Sequence, residues 1–265
     1  MCCGGLLAAD SFPDGDFMIS GGGGLEGVTI HDMQFDLNRR GSGALHFDNT
    51  LRVHLDRLFI HHYVLFGIQA VQGHEVHVSN CWLGEWAWAE SGGRASQNLT
   101  GVAIEIDGQD HWLSDIIIFS GKQGIVLRGG ALVLTNTHIY NVSDSHQCMN
   151  SHLPRPPSRP ERNVACPVVR QGGEGAALEV NGQTAAHSIR VLGCYFDFNR
   201  VVLKDPVAVD LSHSMFLGGV GVELQSTRPN ATIDGLTIIA NQVSFLNHVV
   251  FGTPQVSDTK TIGSS

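Results

Sequence analysis

The stretch VHVSNCWLGEW, Val76 to Trp86, reads as an alternating strand that one polar residue interrupts before the apolar pattern resumes. The interruption is Asn80. Asn and Asp tolerate the left-handed backbone conformation and hydrogen-bond to their own backbone, so such a residue between two strands predicts a corner. If the corner recurs at a fixed interval, it defines the fold.

The corner pattern does recur along the chain. Each predicted corner follows a short run rich in Leu or β-branched residues, and an apolar residue lies three places on. The predicted corners are Asp32, Asp56, Asn80, Asp115 and Asn136, followed by Gly193, His213 and Gly235 in the same place. The interval is roughly 20 to 25 residues outside two longer units, and about eight units are present. This repeat predicts a solenoid whose units bury a core only by stacking.

Each unit reads as a strand, a corner, a short strand, a turn and a third strand introduced by glycine, as in TGVAIEI and QGIVLRG. Three short parallel strands per unit of about 22 residues predict an all-β fold, the single-stranded parallel β-helix, in which like positions stack. We expect the β-helix to span residues 25–254. Residues 1–24 are expected to be partly disordered or a truncated coil, and residues 255–265 a C-terminal tail.

The composition restricts the partners. The chain has 265 residues, 42% of them apolar, and a formal net charge of −9, which disfavours nucleic acid because phosphate binding needs a basic face. No apolar run approaches a membrane span, and the first residues lack the features of a signal peptide. We predict a monomer that binds neither nucleic acid nor membrane.

Three Asn-X-Ser/Thr triplets, at Asn98, Asn141 and Asn230, suit a secreted glycoprotein, although such triplets also arise by chance. A secreted location would also permit disulfide bonds. We therefore interpret the triplets as an indication of secretion.

Two insertions interrupt the repeat, at about residues 85–99 and 141–173. Both enter between the second strand and the Gly-led strand, so they are expected to leave the same edge two coils apart and to wall a groove. Long connections of this kind are functional or disordered. Cys148 and Cys166 flank the Pro/Arg-rich part of the second insertion and are predicted to form a disulfide that closes it.

Several segments between residues 25 and 250 resemble a known family. RGSGALHFDN, QGHEVHVSN and KDPVAVDLS are the specific pieces, and they resemble the plant QUARTET-type polygalacturonases of the pectin-lyase-like superfamily. The resemblance implies a right-handed parallel β-helix, a secreted or cell-wall location and a pectic polysaccharide substrate. Members of the family begin with a signal peptide and further coils, so this chain is expected to be a fragment.

The chain departs from the catalytic pattern that the resemblance implies. Polygalacturonases of the superfamily use paired carboxylates within Asn-Thr-Asp, Asp-Asp, Gly-His-Gly and Arg-Ile-Lys motifs. This sequence has no Asp-Asp pair, and Phe66, Thr100, Gln123 and Glu174 stand before its Gly-led strands. The catalytic carboxyl groups must therefore be sought elsewhere on those strands.

Four charged residues are predicted to face outward from the Gly-led strands in one column: Glu105, Arg128, Glu179 and Lys204. Glu105 and Glu179, two coils apart, would lie about 9 to 10 Å apart at the backbone. Inverting glycosidases need their two carboxyl groups about 6.5 to 9.5 Å apart. We predict that these two glutamates are catalytic and that Arg128 and Lys204 bind uronate carboxylates. The alternative is a structural ladder of opposite charges.

The tryptophans offer a second set of substrate contacts, because exposed indoles stack on the apolar faces of sugars. Trp86 and Trp88 lie in the first insertion and are predicted to bind substrate, with loop anchoring as the alternative. Trp82 is predicted to pack in the core, and Trp112, beside a corner, to be structural.

Other polar residues are predicted to have structural roles. The adjacent pair His61 and His62 could move protons near neutral pH, but turn histidines are commoner, and no spacing indicates the further ligands that a metal would need. No metal site is therefore predicted. The segment QGHEVHV is expected to be a polar ladder at a strand edge, and Asp107 and Asp110 are expected to be turn formers.

The leading hypothesis is inverting hydrolysis of a pectic or other uronate-rich polysaccharide, without a cofactor. One rival is a polysaccharide lyase that uses Arg128 or Lys204 as base, with calcium bridging the carboxylates. The other is a solenoid that binds polysaccharide or has only a structural role.

Overall fold

The structure is a computed structural model. It describes residues 4–86, 99–140, 176–181, 188–197, 199–205, 208–217 and 222–225, and beyond these the short segments 232–233, 236–239, 242–244, 250–251, 255–256 and 260–262. Several predicted features lie outside the described residues: the Cys148–Cys166 disulfide, the three glycosylation triplets, Trp88, Glu174 and the corner at Gly235. Within the described part, no helix is long and apolar enough to cross a membrane.

The described residues form 24 β-strands. In chain order they are β1 (Gly4–Leu7), β2 (Phe17–Gly22), β3 (Thr29–Asp36), β4 (Gly43–Asp48), β5 (Leu51–His61), β6 (Phe66–Ser79), β7 (Trp82–Gly84), β8 (Val102–Ser114), β9 (Ile117–Ser120), β10 (Gln123–Thr135), β11 (His138–Tyr140), β12 (Leu178–Asn181), β13 (Ile189–Leu192), β14 (Tyr195–Asp197), β15 (Val201–Lys204), β16 (Val209–Ser212), β17 (Met215–Leu217), β18 (Val222–Gln225), β19 (Thr232–Ile233), β20 (Thr237–Ile239), β21 (Gln242–Ser244), β22 (Val250–Phe251), β23 (Gln255–Val256) and β24 (Lys260–Ile262).

Twenty-two of these strands join one continuous sheet in which every pairing is parallel, and β19 and β23 pair separately. The sheet wraps around a core and presents three faces. Sheet I contains β2, β4, the first halves of β6, β8 and β10, then β12, β15, β18 and β22. Sheet II contains the start of β3, the first half of β5, the second halves of β6, β8 and β10, then β13, β16, β20 and β24. Sheet III contains β1, the ends of β3 and β5, then β7, β9, β11, β14, β17 and β21.

One strand from each sheet makes one coil, and eight complete coils run from β2 to β21. The predicted parallel β-helix is confirmed. Strands β1 and β2 pair with β3 and β4, so residues 4–7 and 17–22 of the N-terminal segment are part of the sheet. Residues 260–262 pair with β20 at the other end. We use "column" for the residues at one position in successive coils.

The corners between sheets II and III have the predicted left-handed backbone. Their φ angles are 56° at Asp32, 51° at Arg57, 53° at Asn80, 55° at Asp115, 48° at Asn136, 63° at Gly193 and 52° at His213. The corner predicted at Asp56 is wrong by one residue, because Arg57 turns the chain. The Asp56 carboxylate instead accepts hydrogen bonds from Ser79 Oγ at 2.8 Å and Asn80 Nδ2 at 2.9 Å, which joins two corners.

The core is built from columns of apolar side chains. The inward column of sheet I consists of Phe47, Ala70, Ile106, Leu127, Val180, Leu203 and Leu224, and that of sheet III of Phe35, Ile60, Leu83, Ile118, Ile139, Phe196 and Phe216. All are buried. Burying apolar surface at about 25 cal/mol per Å² is what stabilises such stacked coils.

The corner between sheets III and I requires small residues. A Cβ added to Gly124 would lie only 2.2 Å from the Ala177 carbonyl oxygen, and one added to Gly67 only 2.5 Å from the Ala103 carbonyl oxygen. At this corner, where the chain enters sheet I, the backbones of neighbouring coils are in close contact. The predicted insertions at about residues 85–99 and 141–173 follow β7 and β11 in the chain, and most of their residues lie outside the described ones.

Candidate functional site

The two predicted catalytic glutamates lie on the outer face of sheet I. Glu105 is in register with Gln69 on one side and Val126 on the other, and Val126 is in register with Glu179. The two glutamates therefore occupy one column, two coils apart, with a buried valine between them. Glu105 itself is only 7% exposed.

The two predicted cations lie in the adjacent column of the same face. Arg128 is in register with Asp107, and Lys204 with Asn181. The prediction of a single column was wrong by two residues, because it aligned Gly124 with Gly101. In the structure Ala103 supplies the small residue of that coil, whereas a Cβ on Gly101 would lie 2.8 Å from the Tyr63 ring.

Glu105 is held by groups from the two strands beside it. Arg128 Nη1 donates a hydrogen bond to Glu105 Oε1, and Gln69 Nε2 donates to Glu105 Oε2 at 3.0 Å. His46 Nδ1 in turn donates to Gln69 Oε1 at 3.0 Å, which fixes the orientation of the amide. Both carboxylate oxygens thus accept hydrogen bonds, one of them charge-assisted.

The other two glutamates of the column share this environment of one cation and one amide. The contacts are Glu179 with Lys204 Nζ at 2.8 Å and Gln123 Nε2 at 3.0 Å, and Glu223 with Arg200 Nη1 at 2.7 Å and Gln225 Nε2 at 2.7 Å. Repetition of the same arrangement in three coils is what a structural charge ladder requires.

Asp107 is a carboxyl group whose position the sequence analysis interpreted as a turn. It follows Glu105 by two residues in β8, so both side chains leave the same face, about 6.5 Å apart at the backbone. Burial raises the pKa of Asp107 above its usual value. Glu-X-Asp on one outward strand was the signal that could have identified this pair.

Trp86 occupies the position of a loop anchor. Its backbone N–H donates to Ser120 Oγ at 2.9 Å, and the Arg39 guanidinium carbon lies 3.1 Å from the centre of an indole ring. One ring face is thus covered by a cation, which corresponds to the anchoring alternative.

The packing role predicted for Trp82 is wrong. Trp82 is 47% exposed, because the left-handed corner at Asn80 turns Cys81 and Leu83 inward and leaves the residue between them outward. Trp112 is also exposed, on the outer face of sheet II, where its ring lies 6.4 Å from that of His77.

Trp82 helps to line an aromatic pocket on the outer face of sheet III. The pocket, of about 320 Å³, is lined by one aromatic residue from each of four successive coils: Phe59, Trp82, Phe119 and Tyr140. Gly84 makes room for it, since a Cβ there would lie 2.1 Å from the Phe119 ring. The sequence analysis missed this pocket because it assigned Trp82 to the core.

The two adjacent histidines lie at the edge of this aromatic face, beside Asp36. Asp36 is in register with His61, one coil earlier. His62 Nδ1 donates to Asp36 Oδ1 at 2.8 Å and lies 3.0 Å from His61 Nδ1. Burial alone would raise the pKa of Asp36, but hydrogen bonds from His62 and the Asn38 N–H outweigh it and lower that pKa. His62 follows Asp36 by 26 residues, about one coil, which was the available signal.

The segment QGHEVHV behaves as the predicted polar ladder. Arg52 pairs with Glu26 at 3.1 Å and with Glu75 at 3.4 Å, and His74 lies 3.9 Å from Asp110. All these side chains are exposed, so the pairs contribute little to stability.

No protein-family model matches the chain, and no solved structure matches it significantly. Among curated proteins, Polygalacturonase QRT3 of Arabidopsis thaliana is 30% identical over 227 residues, which cover 85% of this chain and 40% of that protein. The chain thus spans about two-fifths of the length of this relative. The resemblance predicted from the motifs is confirmed at moderate identity: the chain is similar to a plant polygalacturonase.

Proposed function

We propose that this protein is a polygalacturonase-like glycoside hydrolase that acts outside the cell on a pectic or other uronate-rich cell-wall polysaccharide. Two lines support the proposal: the relationship to a polygalacturonase, and an outer face of sheet I that combines carboxyl groups with cations. The observation that carries the chemistry is the neighbouring pair of Glu105 and Asp107, two carboxyl groups in different environments.

Glu105 has the environment of a base. Its two oxygens accept hydrogen bonds from Arg128 and Gln69, and each carboxylate oxygen has a second lone pair that can accept from a water. Both donors favour the ionised form of Glu105. A free lone pair can still take the proton that an attacking water loses.

Asp107 has the environment of an acid. Because burial raises its pKa, Asp107 keeps its proton to a higher pH than an exposed aspartate does. Two carboxyl groups whose environments separate their proton affinities are the usual arrangement of an acid and a base. Side chains that diverge from backbone positions about 6.5 Å apart can reach the carboxyl separation of inverting glycosidases, about 6.5 to 9.5 Å.

The reaction follows from these roles. Asp107 donates its proton to the glycosidic oxygen as the bond from the anomeric carbon to that oxygen breaks. A water attacks the anomeric carbon from the opposite side, and Glu105 accepts the proton that this water loses. Arg128 and Lys204 bind uronate carboxylates beside the cleaved bond, the role predicted from the sequence.

The test is hydrolysis of homogalacturonan by three matched variants, measured as new reducing ends. Glu105→Gln and Asp107→Asn should each reduce turnover by about 100-fold or more, since each removes one proton-transfer group while keeping its shape. Glu179→Gln should reduce turnover by less than about 10-fold. Circular dichroism and melting temperature serve as controls for folding.

The same assay distinguishes the pair of Glu105 and Asp107 from the pair of Glu105 and Glu179. Loss of turnover in Glu179→Gln with turnover retained in Asp107→Asn would restore the pair of Glu105 and Glu179 predicted from the sequence. Near-parental hydrolysis by both Glu105→Gln and Asp107→Asn would remove the catalytic site from this face.

A second candidate function is polysaccharide binding without catalysis. The repeated cation-and-amide environment of all three glutamates favours it, because a structural ladder needs no catalytic member. Binding of homogalacturonan by the parent protein without new reducing ends would support this function. Calcium-dependent formation of unsaturated, ultraviolet-absorbing ends would instead identify a lyase.

A further inference from the structure

Three potential metal ligands meet on sheet III, away from the site on sheet I. Asp36 ends β3, His61 ends β5 in register with it, and His62 follows directly. We propose that these three residues bind one divalent transition-metal ion, for which Zn²⁺ is the best-suited probe. The proposal goes beyond the proposed hydrolase and does not depend on it.

The ligand atoms are close enough for a single ion. His61 Nδ1 and His62 Nδ1 lie 3.0 Å apart, His62 Nδ1 and Asp36 Oδ1 lie 2.8 Å apart, and one ligand atom from each residue lies within 4.8 Å of the others. Zn²⁺ bonds of about 2.0 to 2.2 Å require ligand atoms no more than about 4.4 Å apart. A small rotation of one side chain therefore closes the set.

The backbone explains how consecutive residues can serve one ion. Neighbouring side chains of a strand point to opposite faces, so two adjacent histidines would normally diverge. His62 has a φ of 59°, a left-handed conformation that is uncommon for residues other than glycine. This conformation ends the strand and brings both imidazoles to one side.

The ligand chemistry selects the ion. Two imidazoles and one carboxylate suit Zn²⁺ and other transition metals, whereas Ca²⁺ and Mg²⁺ take oxygen ligands. His61 is buried and Asp36 and His62 are partly buried, so water competes little for the ligand atoms. Three protein ligands leave a fourth position for a water or an external carboxylate.

Neighbouring residues form polar contacts with two of the proposed ligands. Gln34 lies 3.0 Å from His61 Nε2, the ring nitrogen that does not face His62. With the ion on His61 Nδ1, the Nε2–H needs an acceptor, and rotation of the Gln34 amide by 180° supplies its oxygen. The Asn38 N–H donates to Asp36 Oδ1 at 2.9 Å and fixes that carboxylate. Such outer contacts orient metal ligands.

The experiment titrates the untagged, chelator-treated chain with Zn²⁺ and, separately, with Co²⁺. We expect one tight site for each metal, a visible Co²⁺ absorption spectrum of a nitrogen- and oxygen-ligated ion, and a higher melting temperature with Zn²⁺. Ca²⁺ should give none of these. Asp36→Asn and His62→Asn should each weaken Zn²⁺ binding by about 100-fold or more, and Gln34→Leu by about 10-fold.

The variants are chosen to keep the fold. Asn at position 36 can still accept from the Asn38 N–H, and Asn at position 62 tolerates the left-handed conformation. A matched control replaces His54 and His77, an exposed pair on sheet II with ring centres 6.2 Å apart, and should leave the tight site intact. The proposal is wrong if folded Asp36→Asn and His62→Asn bind Zn²⁺ like the parent, if the control removes the site, or if the parent gives no Co²⁺ spectrum.

Discussion

The outer faces of sheets I and III are built on the same kind of parallel strands but carry different side chains. On sheet I, Glu105 and Glu179 each bond to a cation and an amide of neighbouring coils. On sheet III, successive coils present aromatic rings such as Phe59 and Trp82. One core supports both faces, so each outer column can change its chemistry independently. Function must therefore be assigned face by face.

The largest expected effect separates buried from exposed rings within sheet III. Phe119→Ala should destabilise the protein by about 3 to 5 kcal/mol, because Phe119 is only 4% exposed. Trp82→Ala should cost less than about 1 kcal/mol, since about half of that residue is exposed to solvent. Urea denaturation measures both. Equal losses of stability would mean that the Trp82 ring is packed as tightly as the Phe119 ring.

The next effect decides which face receives a uronate polymer, and it rests on the proposed function. Arg128→Met and Lys204→Met should each weaken binding of a galacturonate oligomer by about 10-fold, or about 1.4 kcal/mol, by removing a partner for a carboxylate. Trp82→Ala should change the affinity by less than about 2-fold. Isothermal titration calorimetry measures the affinities, and the reverse ranking would place the polymer on sheet III.

The smallest expected effect is the pH dependence of stability that one aspartate on each face contributes. Asp36 has a lowered pKa, so its ionised form stabilises the fold near neutral pH, and this contribution is lost as the pH falls through the folded-state pKa. Asp107 has a raised pKa, so its ionisation destabilises the fold near neutral pH, and protonation relieves that cost.

The expected signs are therefore opposite. Measured by urea denaturation at pH 7 with chelator present, Asp36→Asn should destabilise and Asp107→Asn should stabilise the protein. Both differences should shrink in acid, where the parental carboxyl groups are neutral. The same sign for both variants would contradict the contrast between the faces.

The sequence predicted the fold because the corners carry a local signal. Asn80, Asp115 and Asn136 adopt the left-handed conformation that their side chains favour. Asp56 misled the prediction because its carboxylate bonds to the next corner, a contact one coil away in sequence. Local conformational preference can be read from the chain, whereas contacts between coils depend on register.

The candidate site was predicted less well for the same reason. Glu105 and Arg128 were placed on the correct face, but their relative position depended on whether Gly101 or Ala103 enters sheet I. Asp36 and His61 come together only when the coil length is known to one residue. Trp82 was misassigned because the left-handed corner reverses which residues point inward.

The small-residue corner between sheets III and I has a consequence for how such a protein can change over generations. In the sequence, both predicted insertions lie between a sheet III strand and the next sheet I strand, so an altered gene can lengthen or shorten either segment while the columns keep their neighbours. Duplication of one whole coil would add one residue to every outer column and one layer to the core. This chain architecture therefore permits heritable variation in loop length and in solenoid length to occur separately.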